Sequence, residues 1–396
     1  MTASSAILRS PDGRLISAIS GEGKTELETT VLPAFLPRQR WFGAKDRAIA
    51  GVTLVPLGEL EAGRHALIAA DVEVGGETQR YLLPVSAVWD GDAGQPVLAK
   101  IEADGRSGQL IDSALDKSLA KALLDAMRRE DQLQSEGGEV VFLGSETLEQ
   151  GGAPGEARPL GAEQSNVSIA FGSTVILKLY RRLRAGEQPD VEVARFLSNV
   201  GHFANTPEFL GEIQYRTGGE EPTTLAAAFA FVPNQGDAWA AVTGPLTQSL
   251  FDENADDASW IGAVLGRRTA EMHKALAVDT TEADFRVETL QTADVQNWAD
   301  EAVEEAEDLL ARLQEGLSDL APSARTIAEE VLDKRNVLIS RIRAGSNMQP
   351  SGGRARIHGD YHLGQVLVAD GDVMIIDFEG EPKRSLPERR AKSSPL

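Results

Sequence analysis

The sequence predicts an α+β fold in which strands come first and helices follow. Strand candidates dominate the chain up to about residue 235, and nearly every later segment has helical periodicity. One hairpin, residues 365–376, returns within the helical part. Because polar residues crowd the ends of that hairpin, we expect the functional site to lie there.

The first part of the chain predicts a small antiparallel unit. The segments Gly51–Leu57, Ala66–Val74 and Gln79–Val88 are strand candidates, and the pair Gly75-Gly76 is a turn that joins the second to the third. Residues 90–96 are rich in Gly, Asp and Pro, which favours a linker after this unit.

The middle of the chain alternates helices and strands. Apolar residues at every fourth position predict a helix over Ser113–Arg129. Residues 161–172 predict a strand–turn–strand segment, and residues 174–180 predict a strand with Lys178 near its centre. Pro189 and Asp190 predict the start of the next helix, with Asp190 as its N-cap.

Beyond residue 225 the chain gives one buried strand, over residues 225–233, and then mainly helices. An apolar stripe or an Ala-rich acidic pattern predicts helices over Asp257–Ala277, Trp298–Leu317 and Ser323–Ala344. The last is predicted as one long helix, whose apolar face comprises Ile327, Val331, Leu338 and Ile342.

The composition limits the function classes. The 396 residues include no cysteine, which excludes disulfides, thiolate metal sites and a cysteine nucleophile and indicates a reducing compartment. The formal net charge of −22 disfavours binding to nucleic acid or anionic lipid. No apolar run approaches the ~18 residues of a membrane span, and the N-terminus lacks a signal-peptide core. We therefore predict a cytoplasmic protein that binds neither nucleic acid nor membrane.

The hairpin over residues 365–376 predicts a polar site at its open end. Asp370-Gly371 forms its turn, and pairing about this turn places Gln365 beside Asp377. Asp360 lies on the loop that leads into the same end. Two oxygen ligands beside a second carboxylate suit a Mg²⁺ site next to a catalytic base. The alternative is that Asp360 caps a turn, Gln365 pairs with backbone and Asp377 ends a strand.

Two histidines in the same loop leave a second metal open. His358 and His362 are separated by four positions, so a zinc site made of two histidines and a carboxylate is the alternative to Mg²⁺. Gly359 and the strand that follows argue against a helix that would place both rings on one face.

Lys178 is a candidate phosphate-binding lysine, with Glu192 on the next helix as the carboxylate that holds it. The alternative is a strand lysine whose ammonium group extends to solvent. The turn Gln164–Ser168 is small and polar, which would let its backbone N–H groups approach phosphates, although the same residues suit an ordinary hairpin turn.

Several motifs together resemble those of known families. Residues 358–365, HGDYHLGQ, and residues 376–380, IDFEG, resemble the catalytic and metal loops of eukaryotic-like kinases and aminoglycoside phosphotransferases. A wider set of motifs resembles bacterial maltokinases, some of which are fused to trehalose synthase. That set comprises residues 37–42, 163–168, 265–273, 358–367, 376–382 and 388–396, and the resemblance covers about residues 32 to 396.

The resemblance implies a role for each matched residue. Asp360 would orient the sugar hydroxyl, and Gln365 and Asp377 would hold Mg²⁺. Lys178, held by Glu192, would contact the phosphates of ATP. The same motifs imply a turn that covers the phosphates, formed by Gln164, Ser165, Asn166 and Ser168. They also imply a hinge that meets adenine, formed by Phe231 and Val232. Further candidate site residues are His358, His362, Glu379 and Arg389.

The resemblance also implies the architecture. It predicts a bilobal protein-kinase-like fold with an N-terminal β-rich cap over residues 1–90, an N-lobe with an intermediate insert over 91–233, and a helical C-lobe over 234–396. Relatives of this kind continue past residue 396 with a helical stretch that contains Arg-Asp, so we expect the C-lobe to be truncated here.

The implied activity is the ATP-dependent phosphorylation of maltose to maltose 1-phosphate, which would feed α-glucan synthesis, with ATP and Mg²⁺ as cofactors. One alternative is an aminosugar or aminoglycoside kinase. Another is an inactive nucleotide-binding module that associates with a trehalose synthase-type partner.

Overall fold

The computed structural model describes residues 6–89, 94–162, 166–249 and 259–395. The chain divides into two compact units. The first comprises Met1–Ala275 and His358–Arg390, and the second comprises Leu276–Ile357 and Ala391–Leu396. Within the described residues, no helix combines the length and the apolar character that crossing a membrane requires.

The first unit contains two seven-stranded sheets. Sheet 1 has the order β1-β5-β6-β4-β3-β2, with β12 paired to β4. Its strands are β1 (Ile7–Ser10), β2 (Ile49–Leu60), β3 (His65–Val74), β4 (Glu77–Val88), β5 (Val97–Ala103), β6 (Arg106–Asp112) and, later in the chain, β12 (Arg182–Leu183). The predicted turn at Gly75-Gly76 is confirmed, because Val74 pairs with Glu77 across it and both glycines have positive φ.

Sheet 2 has the order β7-β8-β13-β14-β11-β10-β9. Its strands are β7 (Gln132–Ser135), β8 (Gly138–Gly144), β9 (Ala157–Ala162), β10 (Asn166–Phe171), β11 (Val175–Tyr180), β13 (Phe209–Arg216) and β14 (Thr223–Ala230). The strand β11 carries Lys178 and lies between β10 and β14, so a buried row of side chains flanks this lysine on both sides.

The helices of the first unit connect and cover these sheets. They are α1 (Leu15–Ala18), α2 (Gly21–Glu26), α3 (Leu32–Phe35), α4 (Lys117–Arg128), α5 (Glu146–Gln150), α6 (Pro189–Asn199), α7 (Ala238–Ser249), α8 (Ser259–Ala275) and, near the C-terminal end, α12 (Leu386–Arg390). The helix predicted from Ser113 begins later, because the Asp116 carboxylate accepts hydrogen bonds from the N–H groups of Ser118 and Leu119 and thereby caps α4.

A shared apolar core joins the two sheets. Leu57 of β2, Leu123 of α4, Phe142 of β8 and Leu177 of β11 are all buried in it. Because β11 is fixed from this side by close packing, its opposite face is free to present Lys178 to a polar site.

A separate β-hairpin follows the long helices in the sequence and precedes α12. It consists of β17 (Val366–Ala369) and β18 (Asp372–Ile375), which pair in antiparallel register about Asp370-Gly371, as predicted. Asp370 has φ 48° and Gly371 has φ 74°, the backbone that an Asp-Gly turn of this kind requires.

The second unit is mainly helical. It contains β15 (Glu288–Thr289), α9 (Thr292–Glu315), α10 (Pro322–Asp333), α11 (Arg335–Ala344) and β16 (Gly353–Arg354). The single helix predicted over Ser323–Ala344 is wrong, because the chain breaks at Lys334 between α10 and α11. The predicted apolar face is confirmed only in part, because Ile342 packs against a buried apolar cluster, whereas the exposed fraction of Ile327 is 65%.

The predicted α+β class is confirmed. The domain limits at residues 90 and 233 stay a prediction, and β5 and β6, which follow residue 90, pair within sheet 1. The predicted N-cap role of Asp190 is wrong, because Gln188 occupies the N-cap position of α6 and Asp190 lies within its first turn.

Candidate active site

Lys178 is the centre of a buried ionic cluster. Its Nζ lies 2.9 Å from Asp190 Oδ2, 3.0 Å from Asp377 Oδ1 and 2.7 Å from Glu379 Oε1. The exposed fraction of the lysine side chain is 10%. The alternative of a lysine that extends to solvent is therefore wrong, because the ammonium group lies among three carboxylates.

The three acids reach the lysine from two separate parts of the chain. Asp190 comes from the first turn of α6, and Asp377 and Glu379 follow β18. Asp377 has φ 65°, a left-handed conformation that turns the chain sharply just past the strand. The Phe378 N–H donates to Asp190 Oδ1 at 3.0 Å, which fastens this turn to α6.

The acids also have the geometry of a cation site. One oxygen from each of Asp190, Asp377 and Glu379 lies within 4.8 Å of the others. Carboxylate oxygens are the ligands that Mg²⁺ prefers, and of the two predicted Mg²⁺ ligands this set contains Asp377 but not Gln365, so the predicted ligand pair stays a prediction. The Asn166 side chain donates to Glu379 Oε1, which holds that acid in place from β10.

Burial and charge act in opposite directions within the cluster. Burial lowers the pKa of Lys178, but the charges of Asp190, Glu379 and Asp377 outweigh it and raise that pKa well above the ordinary value. Burial raises the pKa of Asp377, but Lys178 reverses this and the pKa is lowered. Burial raises the pKa of Glu379 in spite of Lys178. The cluster therefore keeps a charged lysine while its acids differ in how readily they ionise.

The predicted pairing of Lys178 with Glu192 is wrong. Glu192 instead accepts hydrogen bonds of 2.9 Å from both Nε and Nη2 of Arg390. Residues two positions apart on a helix point in different directions, so Asp190 and Glu192 are unable to face the same lysine. Sequence reasoning missed Asp190 because it assigned that residue to the N-cap.

The predicted neighbours at the hairpin end are confirmed. The Ile376 N–H donates to the Gln365 carbonyl at 3.0 Å, which extends the pairing of β17 and β18 by one step. The Gln365 side chain hydrogen-bonds to Asp377 and contributes to lowering the pKa of that carboxyl. The carboxamide of Gln365, which donates this hydrogen bond through its NH₂ group, and the Asp377 carboxylate therefore meet beside Lys178.

The hairpin is anchored to α8 by a charged pair that gives a pH prediction. Both oxygens of Asp372 accept hydrogen bonds from Arg268, and these bonds hold the pKa of Asp372 at about 2. Since the folded-state pKa lies below the ordinary value, the pair stabilises the fold above roughly pH 4 and loses this effect as the pH falls towards 2. Because the pair is partly exposed, we expect Asp372→Asn to cost up to about 1 kcal/mol at pH 7. Urea unfolding from pH 7 down to about pH 2 checks this, because the effect disappears between the unfolded-state and the folded-state pKa.

The corresponding control is Arg268→Gln. The double variant should lose no more stability than either single one, because the same pair is removed. A stability difference between wild type and Asp372→Asn that grows as the pH falls would contradict the assignment.

Asp360 lies next to a histidine with a structural role. His358 is buried, its Nε2 donates to the Ile376 carbonyl at 2.9 Å, and its Nδ1 accepts the Asp360 N–H at 3.4 Å. Burial lowers the pKa of His358, so the ring is neutral and supports this arrangement. Because both ring nitrogens hydrogen-bond to the chain, the zinc alternative loses His358 as a ligand.

Asp360 itself is half-buried. The negative charges of Asp377, Asp190 and Asp360 raise the pKa of His358, but burial outweighs them. His362 is exposed, and its Nδ1 accepts the Gly364 N–H at 3.0 Å. The loop therefore separates the histidines, with one packed inward against Phe378 and the other turned to the surface.

A cavity of about 980 Å³ opens beside the cluster. The residues that line it include Lys178, Asp190, Gln365 and Asp377. The remaining walls include the predicted turn residue Ser168 and the predicted hinge residues Phe231 and Val232, and their contact with a nucleotide stays a prediction. The cavity is large enough for a nucleotide-sized ligand.

The other predicted residues have mixed positions. Gln164 and Ser165 lie outside the described residues. Asn166 contacts Glu379, so its side chain is directed at the acid cluster. Arg389, on α12, donates from Nη2 to the Pro382 carbonyl at 2.8 Å.

Comparison with protein families agrees with this geometry. The model of the phosphotransferase enzyme family matches residues 156–380, which include the whole Lys178 cluster. The model of the maltokinase N-terminal cap domain matches residues 35–126.

Two curated relatives are named glucosamine kinase. The one from Streptacidiphilus jiangxiensis is 30% identical over 239 residues, which is 59% of this chain and 50% of the relative. The one from Mycolicibacterium smegmatis (strain ATCC 700084 / mc(2)155) is 25% identical over 284 residues, 70% of this chain and 63% of the relative. The matched part thus spans between half and two thirds of each relative's length.

Solved structures show the same fold. A glucosamine kinase in complex with glucosamine, ADP and inorganic phosphate superposes with a TM-score of 0.61 at 21% identity, over 93% of this chain and 75% of that chain. A second crystal form of a glucosamine kinase gives a TM-score of 0.63 at 20% identity, over the same shares of the two chains.

Proposed function

The chain belongs to the phosphotransferase enzyme family, and from that premise we propose that it is an ATP-dependent sugar kinase whose acceptor is maltose. The observation that carries the proposal is the cluster of Lys178 with Asp190, Asp377 and Glu379, whose first three members line a nucleotide-sized cavity. Phosphoryl transfer depends mainly on positioning and on charge neutralisation, which a lysine and a metal-binding acid cluster supply.

Each part of the site has one task in this proposal. The cavity takes ATP, with Phe231 and Val232 at the adenine and Lys178 at the phosphates. Asp377 and Gln365 would hold Mg²⁺, and the ion would supply charge neutralisation for the phosphates. Asp360 orients the acceptor hydroxyl and accepts its proton as the new bond from oxygen to the γ-phosphorus forms and the bond to ADP breaks.

Maltose is favoured by the match to a maltokinase cap domain, which covers residues 35–126. Glucosamine is favoured by the names of the relatives, both of which are glucosamine kinases. The third candidate is a nucleotide-binding module without transfer activity. Association with trehalose synthase and a cytoplasmic location stay predictions.

A substrate panel separates the three candidates. We expect ADP release with maltose and Mg²⁺ that exceeds the rate without sugar by at least about tenfold, because the acceptor completes the reacting geometry. The assay measures ADP with maltose, glucosamine and no sugar, with EDTA as the metal control. The product is then identified as maltose 1-phosphate by its phosphorus–carbon couplings.

The same panel shows which part of the proposal fails. Turnover with glucosamine alone would reject maltose and keep the kinase. Nucleotide binding without turnover on any sugar would favour the module. Because the chain matches only part of each relative, the panel is run on this chain and on a longer one that continues past Leu396.

A further inference from the structure

Asp360 lies on irregular backbone between two aromatic side chains. The segment 358–362 is outside the helices and strands, so side-chain contacts decide where its residues point. On one side of Asp360, the His358 ring donates from Nε2 to the Ile376 carbonyl at 2.9 Å. On the other side Tyr361 follows directly, and its ring centroid lies 5.1 Å from that of His358.

The hydroxyl of Tyr361 hydrogen-bonds to helix α8. Its oxygen lies 2.8 Å from Thr269 Oγ1. The Thr269 hydroxyl gives its single proton to the Leu265 carbonyl at 2.7 Å, one turn earlier in the same helix, so Tyr361 is the donor in the bond between the two hydroxyls. Burial raises the pKa of Tyr361 in spite of the hydrogen bond with Thr269, which keeps the phenol protonated and able to donate.

The body of Tyr361 packs where α8 meets the hairpin. Ile261 of α8 and Val366 and Val373 of the hairpin are buried in one apolar cluster, and Tyr361 packs against this cluster together with Leu265. The hydrogen bond of the phenol is therefore half-buried beside an apolar surface, where water competes with it less than at an exposed site.

The same helix also holds the hairpin. Arg268, the residue before Thr269, donates to both oxygens of Asp372 in β18. The His358 ring in turn connects the Asp360 loop to the residue that follows β18. Three contacts thus join α8, the Asp360 loop and the hairpin to one another, and the hydroxyl of Tyr361 supplies the contact between α8 and the loop.

We propose that Tyr361 and Thr269 are positioning residues for Asp360, because the hydrogen bond between them holds the loop in the place from which the Asp360 carboxylate reaches the acceptor hydroxyl. The statement rests on the proposed function, in which Asp360 accepts the proton of that hydroxyl. Neither positioning residue is among the described residues that line the cavity, so their effect acts through Asp360 and not through the nucleotide. A shift of about 1 Å in a reacting group is enough to slow a reaction strongly.

Single substitutions measure the contribution of this hydrogen bond. We expect Tyr361→Phe and Thr269→Val each to lower kcat about three- to tenfold, the worth of one hydrogen bond, and to leave the KM for ATP unchanged. Thr269→Ser keeps the hydroxyl and should restore most of the lost rate. The matched control is Tyr81→Phe, which removes a tyrosine hydroxyl that donates to Gln79 Oε1 at 2.6 Å in sheet 1 and should retain the wild-type kcat.

Double variants separate positioning from a merely structural role. Tyr361→Phe combined with Thr269→Val should lose no more kcat than either change alone, because both remove the same bond. In an Asp360→Asn background, Tyr361→Phe should lower kcat no further, since the carboxylate to be positioned is already gone. If Tyr361→Phe lowered kcat by the same factor with and without the Asp360 carboxylate, or if Tyr81→Phe lowered it as much, the positioning role would be rejected.

Hydrogen exchange of the loop gives a measure that needs no turnover. By mass spectrometry, the segment 358–363 should exchange about three- to tenfold faster in Tyr361→Phe and in Thr269→Val than in wild type, because the loop opens with one contact fewer. Exchange of the same segment in Tyr81→Phe should match wild type. Faster exchange in a protein that phosphorylates no sugar would keep the positioning of the loop and reject the kinase. Unchanged exchange in both loop variants would reject the positioning whether or not a sugar is phosphorylated.

Discussion

Asp360→Asn is expected to lower kcat by about 10²–10⁴-fold, the range that a positioned general base contributes. The amide keeps the size of the side chain and has no carboxylate to accept the hydroxyl proton. Nucleotide affinity should change little, because Asp360 is not among the residues that line the cavity. Initial rates at varied sugar and ATP, with nucleotide binding by calorimetry, measure both quantities.

The matched control for this variant is Asp370→Asn. It makes the same substitution in the exposed turn of the hairpin, where φ is 48° and Asn is well tolerated. This variant should retain wild-type rates. If Asp360→Asn turned over within a few-fold of wild type, Asp360 would have neither the orienting nor the proton-accepting role.

Local signals were sufficient to predict the hairpin site. The Asp-Gly pair fixes the turn, the turn fixes the register, and the register brings Gln365 to Asp377. Each of these features depends only on residues that are close in sequence and on the alternation of side chains along a strand. For the same reason the α+β class and the turn at Gly75-Gly76 followed directly from pattern.

The partner of Lys178 required information that local patterns lack. Pro189-Asp190 suits a helix start, and the sequence alone does not say whether the carboxylate turns back to cap the helix or outward to a strand. Burial decides: an ammonium group and the Phe378 N–H both need an acceptor, and Asp190 serves both. The break at Lys334 had no local signal either, because the apolar spacing continues across it from Val331 to Leu338.

The arginines of residues 181–184, which read RRLR, are a second example of this limit of sequence reasoning. Their alternation is visible in the sequence, but its meaning depends on which surface each face meets. Arg181 binds Asp112, whereas burial and the charges of Arg389 and Arg182 lower the pKa of Arg184 to about 10. Identical residues in one short segment thereby acquire opposite electrostatic environments.

The comparison of Asp190→Asn with Glu192→Gln is the second large prediction, and it tests the corrected lysine partner directly. In Asp190→Asn, the NH₂ group replaces one of two accepting oxygens and faces either Lys178 and the Tyr180 hydroxyl or the Phe378 N–H, so that a hydrogen bond is lost in both orientations and Lys178 loses a charged partner. We expect kcat/KM for ATP to fall about ten- to hundredfold, the worth of one charged hydrogen bond. Steady-state kinetics at varied ATP provide the measurement.

Glu192→Gln is the control that separates nucleotide chemistry from stability. Glu192 holds Arg390 through two hydrogen bonds and is buried, so its loss should cost about 1–3 kcal/mol of unfolding free energy, much as Asp190→Asn does. Because Arg390 does not line the cavity, the KM for ATP should stay at the wild-type value. If Glu192→Gln raised that KM as strongly as Asp190→Asn, destabilisation alone would account for both, and the assignment of Asp190 as the residue that positions Lys178 would be wrong.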